Sequence, residues 1–167
     1  VFDITVSGPS HTYWTAGLNV SNCVEIALRA NSFCNLCEIN AQLIETKQDL
    51  MEAEWAATIL GTIQASYTDF TYLRDVWKKT TDEDALLGVS MTGIPGSYVS
   101  TLDVKASVEF AKEINREYSE KVGVNPSKRI TCVKPAGTSS AVLGTSSGIH
   151  AWHNDYYIRR MEVLKAD

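Results

Sequence analysis

Asn22-Cys23-Val24-Glu25-Ile26, with Phe33-Cys34-Asn35-Leu36 just downstream, places a thiol and a carboxylate two positions apart on what reads as a short strand. Side chains alternate across a strand, so Cys23 and Glu25 share a face and can reach one bound molecule. Cys34 adds a second thiol eleven positions after the first. Residues 23–28 and 35–40 read as two short strands around a connection at 29–32. Their pairing with the downstream helices and strands decides the fold class.

From about Gln48 to Thr68 the pattern turns helical, with Leu50, Ala53, Ala57, Leu60, Ile63 and Gln64 mostly at three- and four-residue steps. Tyr67 to Lys79 reads as a loop with a short helix. Thr81-Asp82-Glu83-Asp84 carries a hydroxyl and acids in the pattern of a helix start. Leu86 to Met91 reads as a buried strand closed by Gly93, Pro95 and Gly96. Asp103 to Val122 is the clearest amphipathic helix, with a stripe of Val104, Ser107, Val108, Ala111, Ile114 and Tyr118 and with Gly123 as its cap. Arg129 to Val133 predicts a strand, 141–143 a short helix and Tyr156 to Met161 a last strand. Strands alternating with helices predict an α/β arrangement with parallel strands, with too few strands to close a barrel.

The 167 residues are 44% hydrophobic and carry a net charge of −5. No basic tract supports duplex binding, so no nucleic-acid partner is expected. No apolar run approaches a membrane span and no signal peptide opens the chain, so no membrane role is expected and a cytoplasmic location is. The four cysteines, in a chain of ordinary globular composition, read as reduced thiols. No metal-ligand spacing stands out. The chain opens at Val1 and closes in a charged run, and both ends read as cut from something larger.

Lys134-Pro135-Ala136-Gly137-Thr138-Ser139-Ser140 comes after a predicted strand and opens a predicted helix. Small residues let backbone N–H groups approach an anion, hydroxyls add donors and a helix N-terminus adds positive potential. The Gly-Lys-Ser/Thr ending of a Walker loop is absent. Taken alone, the pattern also fits an ordinary capping turn.

Cys23-Val24-Glu25-Ile26-Ala27-Leu28, Phe33 to Asn40, Gln64 to Phe70, Leu87 to Gly93, Lys134 to Ser140 and Ser147-Gly148-Ile149-His150 occur in this order. Together they resemble the second half of the catalytic barrel of ribonucleotide reductases, most closely the adenosylcobalamin-dependent (class II) branch. The resemblance runs from residue 23 to the end and implies part of a ten-stranded α/β barrel. It implies that Cys23 carries the thiyl radical that abstracts the ribose 3′ hydrogen, and that Glu25 is the base for the 3′-hydroxyl proton. Cys34 would be one half of a redox pair that ends as a disulfide, its partner lying upstream of this chain. Pro135, Ala136, Gly137, Thr138 and Ser139 would cradle the substrate phosphates. Adenosylcobalamin, a ribonucleoside di- or triphosphate and an external thiol reductant such as thioredoxin are the implied cofactors and substrate. Cys37 and Cys132 are expected as buried structural thiols. One position departs: the family has asparagine two residues before the radical cysteine, where Ser21 stands here.

Residues 1–22 account for that departure. Phe2 to Val6 reads as a strand, Ser7 to Ser10 as a turn, His11 to Thr15 as a strand, Ala16-Gly17 as a turn and Leu18 to Val20 as a third strand. This all-β stretch, ending Ala16-Gly17-Leu18-Asn19-Val20-Ser21-Asn22 before Cys23, resembles the C-terminal end of an intein (Hint-type) segment. The resemblance implies cyclisation of Asn22, Cys23 as the nucleophile accepting the upstream segment as a thioester, and proton transfers assisted by His11 and Asp3. Most inteins have histidine where Ser21 stands. The expected organisation is therefore 1–22, intein segment, and 23–167, reductase fragment, with the N-terminal halves of both as missing partners. The alternatives are that splicing is the main activity, as the C-terminal half of a split intein, or that the chain is an α/β binding piece without chemistry.

Overall fold

A computed structural model of the chain describes residues 12–15, 18–21 and 28–158. Strands β1 (Thr12–Thr15) and β2 (Leu18–Ser21) pair antiparallel, from Thr12↔Ser21 to Thr15↔Leu18. These are two of the three strands predicted in residues 1–22. The predicted strands at Phe2–Val6 and 23–28 fall on or run into residues outside the described ones.

The main sheet is parallel. Strand β3 (Asn35–Asn40) pairs with β4 (Leu87–Thr92) in the register Asn35↔Leu87 to Asn40↔Thr92. The predicted third strand at 129–133 is reduced to one parallel bridge, Thr131↔Val89. It nonetheless runs along β4: Leu87 N–H donates to the Arg129 carbonyl at 3.0 Å and Cys132 N–H to the Val89 carbonyl at 3.0 Å. Parallel neighbours need crossovers, and helices supply them. The α/β class with parallel strands is thus observed. The predicted strand at 156–161 is absent over Tyr156–Ile158, where the backbone bends and the side chains are exposed. They bury no face that a strand could pack on the core.

Helix α1 (Lys47–Gln64) begins at a capping box. The Thr46 hydroxyl accepts from Asp49 N–H at 3.1 Å, and the Asp49 carboxylate accepts from Thr46 N–H at 2.8 Å. Its buried face is Leu50, Glu54, Ala57, Thr58, Gly61 and Thr62. The predicted apolar stripe is therefore rotated, with Leu60 and Ile63 outside at 62% and 38% exposure. The reason is close packing. A Cβ on Gly61 would meet Leu87 Cδ2 at 3.3 Å and Cys37 Sγ at 3.6 Å, so only a small face fits over the strands.

Helix α2 (Asp75–Asp84) corrects another expectation. Thr81-Asp82-Glu83-Asp84 closes this helix instead of opening one, and Ala85 leaves it in the left-handed region at φ 42°. Acids at a helix C-terminus oppose its dipole. Here Asp84 is compensated from outside the helix, by Arg29 (Nε to Oδ2, 2.7 Å) and by the Lys128 ammonium. Burial pushes the Asp84 carboxyl up, but the hydrogen bonds from Lys128 and Arg29 together hold it below the ordinary carboxylate range.

Helix α3 (Lys105–Val122) ends, as predicted, at Gly123 with φ 81°. Its buried face, Ser107, Ala111, Ile114, Asn115 and Ser119, packs on α1 through small and polar residues. Asn115 donates to Thr62 Oγ1 at 3.0 Å and accepts from Ser127 N–H at 2.8 Å. Ser107 Oγ donates to Glu54 Oε2 at 2.9 Å. Burial holds the Glu54 carboxyl above the ordinary range, and the Ser107 bond offsets this only in part. A raised folded pKa makes its stabilisation complete below the unfolded value of about 4.3 and lost as pH rises through the folded one. Glu54→Gln is therefore expected to raise the urea midpoint at pH 7 and leave it unchanged near pH 4. A lower midpoint at pH 7 would show the ionised carboxylate to be a net stabiliser.

Candidate active site

Alternation divides the β3–β4 pair into two faces. Cys37 and Leu87 look towards Gly61 of α1. Leu36, Glu38 and Asn40, paired with Gly88, Ser90 and Thr92, take the opposite face. That face is polar yet buried: the Glu38 side chain is 7% exposed, and Ser90 and Thr92 are 1% and 0% exposed. Cys34 immediately precedes β3, in phase with Leu36, Glu38 and Asn40. Cys37, on the other face, is half-buried, and burial pushes its thiol up; Cys132 is also half-buried, so both are less enclosed than the buried thiols expected.

Two loops cover the C-terminal ends of the strands. Lys134 N–H donates to Ser90 Oγ at 2.9 Å, and the Lys134 ammonium lies 3.5 Å from Glu38 Oε2. The second loop, around Ser146–Gly148, is pinned by Thr92. Thr92 Oγ1 donates to the Ser146 carbonyl at 2.9 Å and accepts from Gly148 N–H at 3.2 Å. Gly93 N–H also donates to the Ser146 carbonyl, and Ile94 N–H to that of Gly148. Gly148 has φ +53°, and a Cβ there would fall 2.5 Å from the Lys134 carbonyl oxygen, so the two loops are layered with no room for a side chain.

Within the first loop Ala136 is buried, while Pro135, Gly137 and Thr138 are exposed and Ser139 is half-buried. Ser140 Oγ caps the Ala136 and Gly137 carbonyls, each at 2.8 Å. Helix α4 (Thr138–Val142) has five residues, longer than the predicted 141–143 but too short for a large dipole. A small hollow of about 190 Å³, bounded by Lys134, Pro135 and His150, opens beside the loop. Ligands in parallel α/β sheets sit outside the carboxyl ends of the strands, and this is where both loops lie.

The structure thus brings residues 134–140 together with Thr92-Gly93 and Ser147–His150. It does not bring them to Cys34, which stands at the N-terminal edge of β3. Four residues of strand, about 13 Å, separate Cys34 from Glu38. Asp3, His11, Asn22, Cys23 and Glu25 lie outside the described residues. Glu38, Ser90, Thr92 and Lys134 were assigned no role by sequence reasoning. The signal for Glu38 was the same alternation that pairs Cys23 with Glu25: positions 34, 36, 38 and 40 share a face.

No family model matches the chain. Over 87% of its length it is 28% identical to the adenosylcobalamin-dependent ribonucleoside-triphosphate reductase of Lactobacillus helveticus. Over 86% it is 26% identical to the enzyme of that name from Euglena gracilis. The chain is similar to part of an adenosylcobalamin-dependent ribonucleotide reductase. It spans 23% and 20% of those two relatives. The crystal structure of a B12-dependent (class II) ribonucleotide reductase superposes on 75% of this chain and 22% of that one, with a TM-score of 0.63 and 23% identity. This likeness extends to the α/β fold of β3, β4 and their helices. Among the described residues no helix is long and apolar enough to cross a membrane.

Proposed function

We propose that residues 23–167 are a segment of the catalytic barrel of a ribonucleoside-triphosphate reductase. The supporting observation is the buried polar face of β3–β4, in phase with Cys34 and closed at its C-terminal end by the Lys134 loop, in a chain similar to such reductases over 87% of its length. In this reading Cys23 abstracts the 3′ hydrogen atom and Glu25 takes the 3′-hydroxyl proton. Cys34 and a thiol from the upstream half supply two electrons and two protons as they join in a disulfide, and the 2′ oxygen leaves as water. Residues 135–139 hold the triphosphate, with their backbone and the Thr138 and Ser139 hydroxyls as donors. Adenosylcobalamin would supply the radical, and a thioredoxin-like dithiol would regenerate the cysteines. The test is complementation: the chain combined with the upstream reductase half, adenosylcobalamin, a ribonucleoside triphosphate and dithiothreitol is expected to yield deoxynucleotide. A complex that forms but yields none would overturn the assignment.

A second reading concerns residues 1–22 as an intein end that splices at Asn22–Cys23. It is favoured by β1–β2, which pair with each other and, among the described residues, not with β3–β4. With the matching N-terminal intein piece, mass spectrometry is expected to show ligation at Cys23 and a released peptide ending at Asn22. Asn22→Ala should block that release, and an unchanged mass with both chains would rule splicing out.

A further inference from the structure

Lys134 is held from three directions. Its N–H is bound by Ser90, its carbonyl is packed on Gly148 and its ammonium faces Glu38. Glu38 and Ser90 are register partners, so the Lys134 anchor sits across the middle of the β3–β4 pair.

The Glu38–Lys134 contact is a poor stabiliser. At 3.5 Å it is longer than the 2.7–2.9 Å of a good charge-assisted hydrogen bond. Glu38 Oε1 is buried with no hydrogen-bond partner. Ion pairs taken this far from water are often replaceable by apolar residues without loss of stability. What the pair does provide is placement: Lys134 is the residue directly before Pro135, and Glu38 lies on the strand that Cys34 precedes.

We propose that Glu38 is a positioning residue that, through Lys134, sets the 135–139 loop over the polar face of β3. This rests on the reading of that loop as a triphosphate site. The sign of one substitution separates positioning from simple charge. Glu38→Gln removes a negative charge beside the loop while keeping the shape of the side chain, so Coulomb attraction alone makes the variant bind a polyanion more tightly. Loss of a positioning partner makes it bind more weakly, by about tenfold as for other outer-shell partners.

The experiment is calorimetric titration of the full chain with inorganic tripolyphosphate, with the backbone amide signals of residues 134–139 followed by NMR. Urea midpoints are measured in parallel for the wild type, Glu38→Gln, Lys134→Met and the double variant. The expected result is binding that shifts those amides, a tenfold loss in Glu38→Gln at unchanged urea midpoint, and no further loss when Glu38→Gln is added to Lys134→Met. Equal or tighter binding by Glu38→Gln overturns the positioning role and leaves the loop assignment standing. A loss of affinity that tracks a lowered urea midpoint also overturns it, by assigning Glu38 to stability. No binding by the wild type, or binding that leaves those amides unmoved, overturns the loop assignment and the positioning role together.

Discussion

Cys23→Ser is expected to abolish deoxynucleotide formation by the complemented enzyme, by roughly four orders of magnitude or more, as for loss of an essential reacting group. A thiol S–H bond is weak enough to give and retake a hydrogen atom, whereas a serine hydroxyl is not, so a radical cannot rest on that side chain. The same variant need not stop splicing, because a hydroxyl can also accept an acyl segment, and inteins are followed by Cys, Ser or Thr. The two proposed roles of Cys23 therefore come apart in one protein: ligation at a reduced rate, with no reduction of ribonucleotides. Deoxynucleotide formation by the serine variant would remove Cys23 from the radical role. Loss of reduction in Cys23→Ser together with slowed ligation would support both assignments at once.

Gly148→Ala is expected to have the largest effect on the folded loops. The position has φ +53°, where a side chain costs about 1–2 kcal/mol. The new Cβ would also fall 2.5 Å from the Lys134 carbonyl oxygen, a backbone atom that cannot swing aside as a side chain can. Overpacking of this kind adds about 1–3 kcal/mol, so a loss of roughly 2–5 kcal/mol is expected. Gly144 is the control, because its φ is +68° but a Cβ there meets nothing within 4 Å. Gly144→Ala should carry only the conformational part, about 1–2 kcal/mol. Urea unfolding of the two variants checks this, and equal losses would deny the close approach of the loops. Since Gly148 packs on Lys134, tripolyphosphate affinity should fall with Gly148→Ala and hold with Gly144→Ala.

The parts of the fold carried by local pattern were legible. Helix α3 could be read from its stripe and from Gly123, and β3 and β4 from short apolar runs bounded by turn residues. The misread parts depend on partners far away in sequence. Thr81 to Asp84 has the composition of a helix start, and only Arg29 and Lys128 make it tolerable as a helix end. The α1 stripe was misplaced because proximity to Leu87 and Cys37 selects Gly61 and its small neighbours over Leu60 and Ile63. At the candidate site, Cys34 came from resemblance, whereas the 135–139 loop could be read from its small residues and hydroxyls as either an anion cradle or a capping turn. Glu38 and Lys134 could not be paired without knowing that β4 lies between them in a fixed parallel register. Thr92, 54 positions from Ser146, is hidden for the same reason: a buried threonine in an apolar strand looks like any other until its partners are placed.

The cluster at Asp84 has a bearing on how the proposed chemistry is held in place. Arg29 lies four residues after Glu25 and is riveted to the end of α2 through a carboxylate that is 4% exposed, with Lys128 bolting on the segment beside β4. Because that carboxyl titrates below its ordinary value, and the Arg29 guanidinium beside Asp84 and Glu83 above its own, neither changes charge between about pH 5 and 9. The join is thus a fixture and not a switch across the physiological range. Ionic strength is the variable that would loosen it, acting on the two half-exposed cations more than on the buried anion between them.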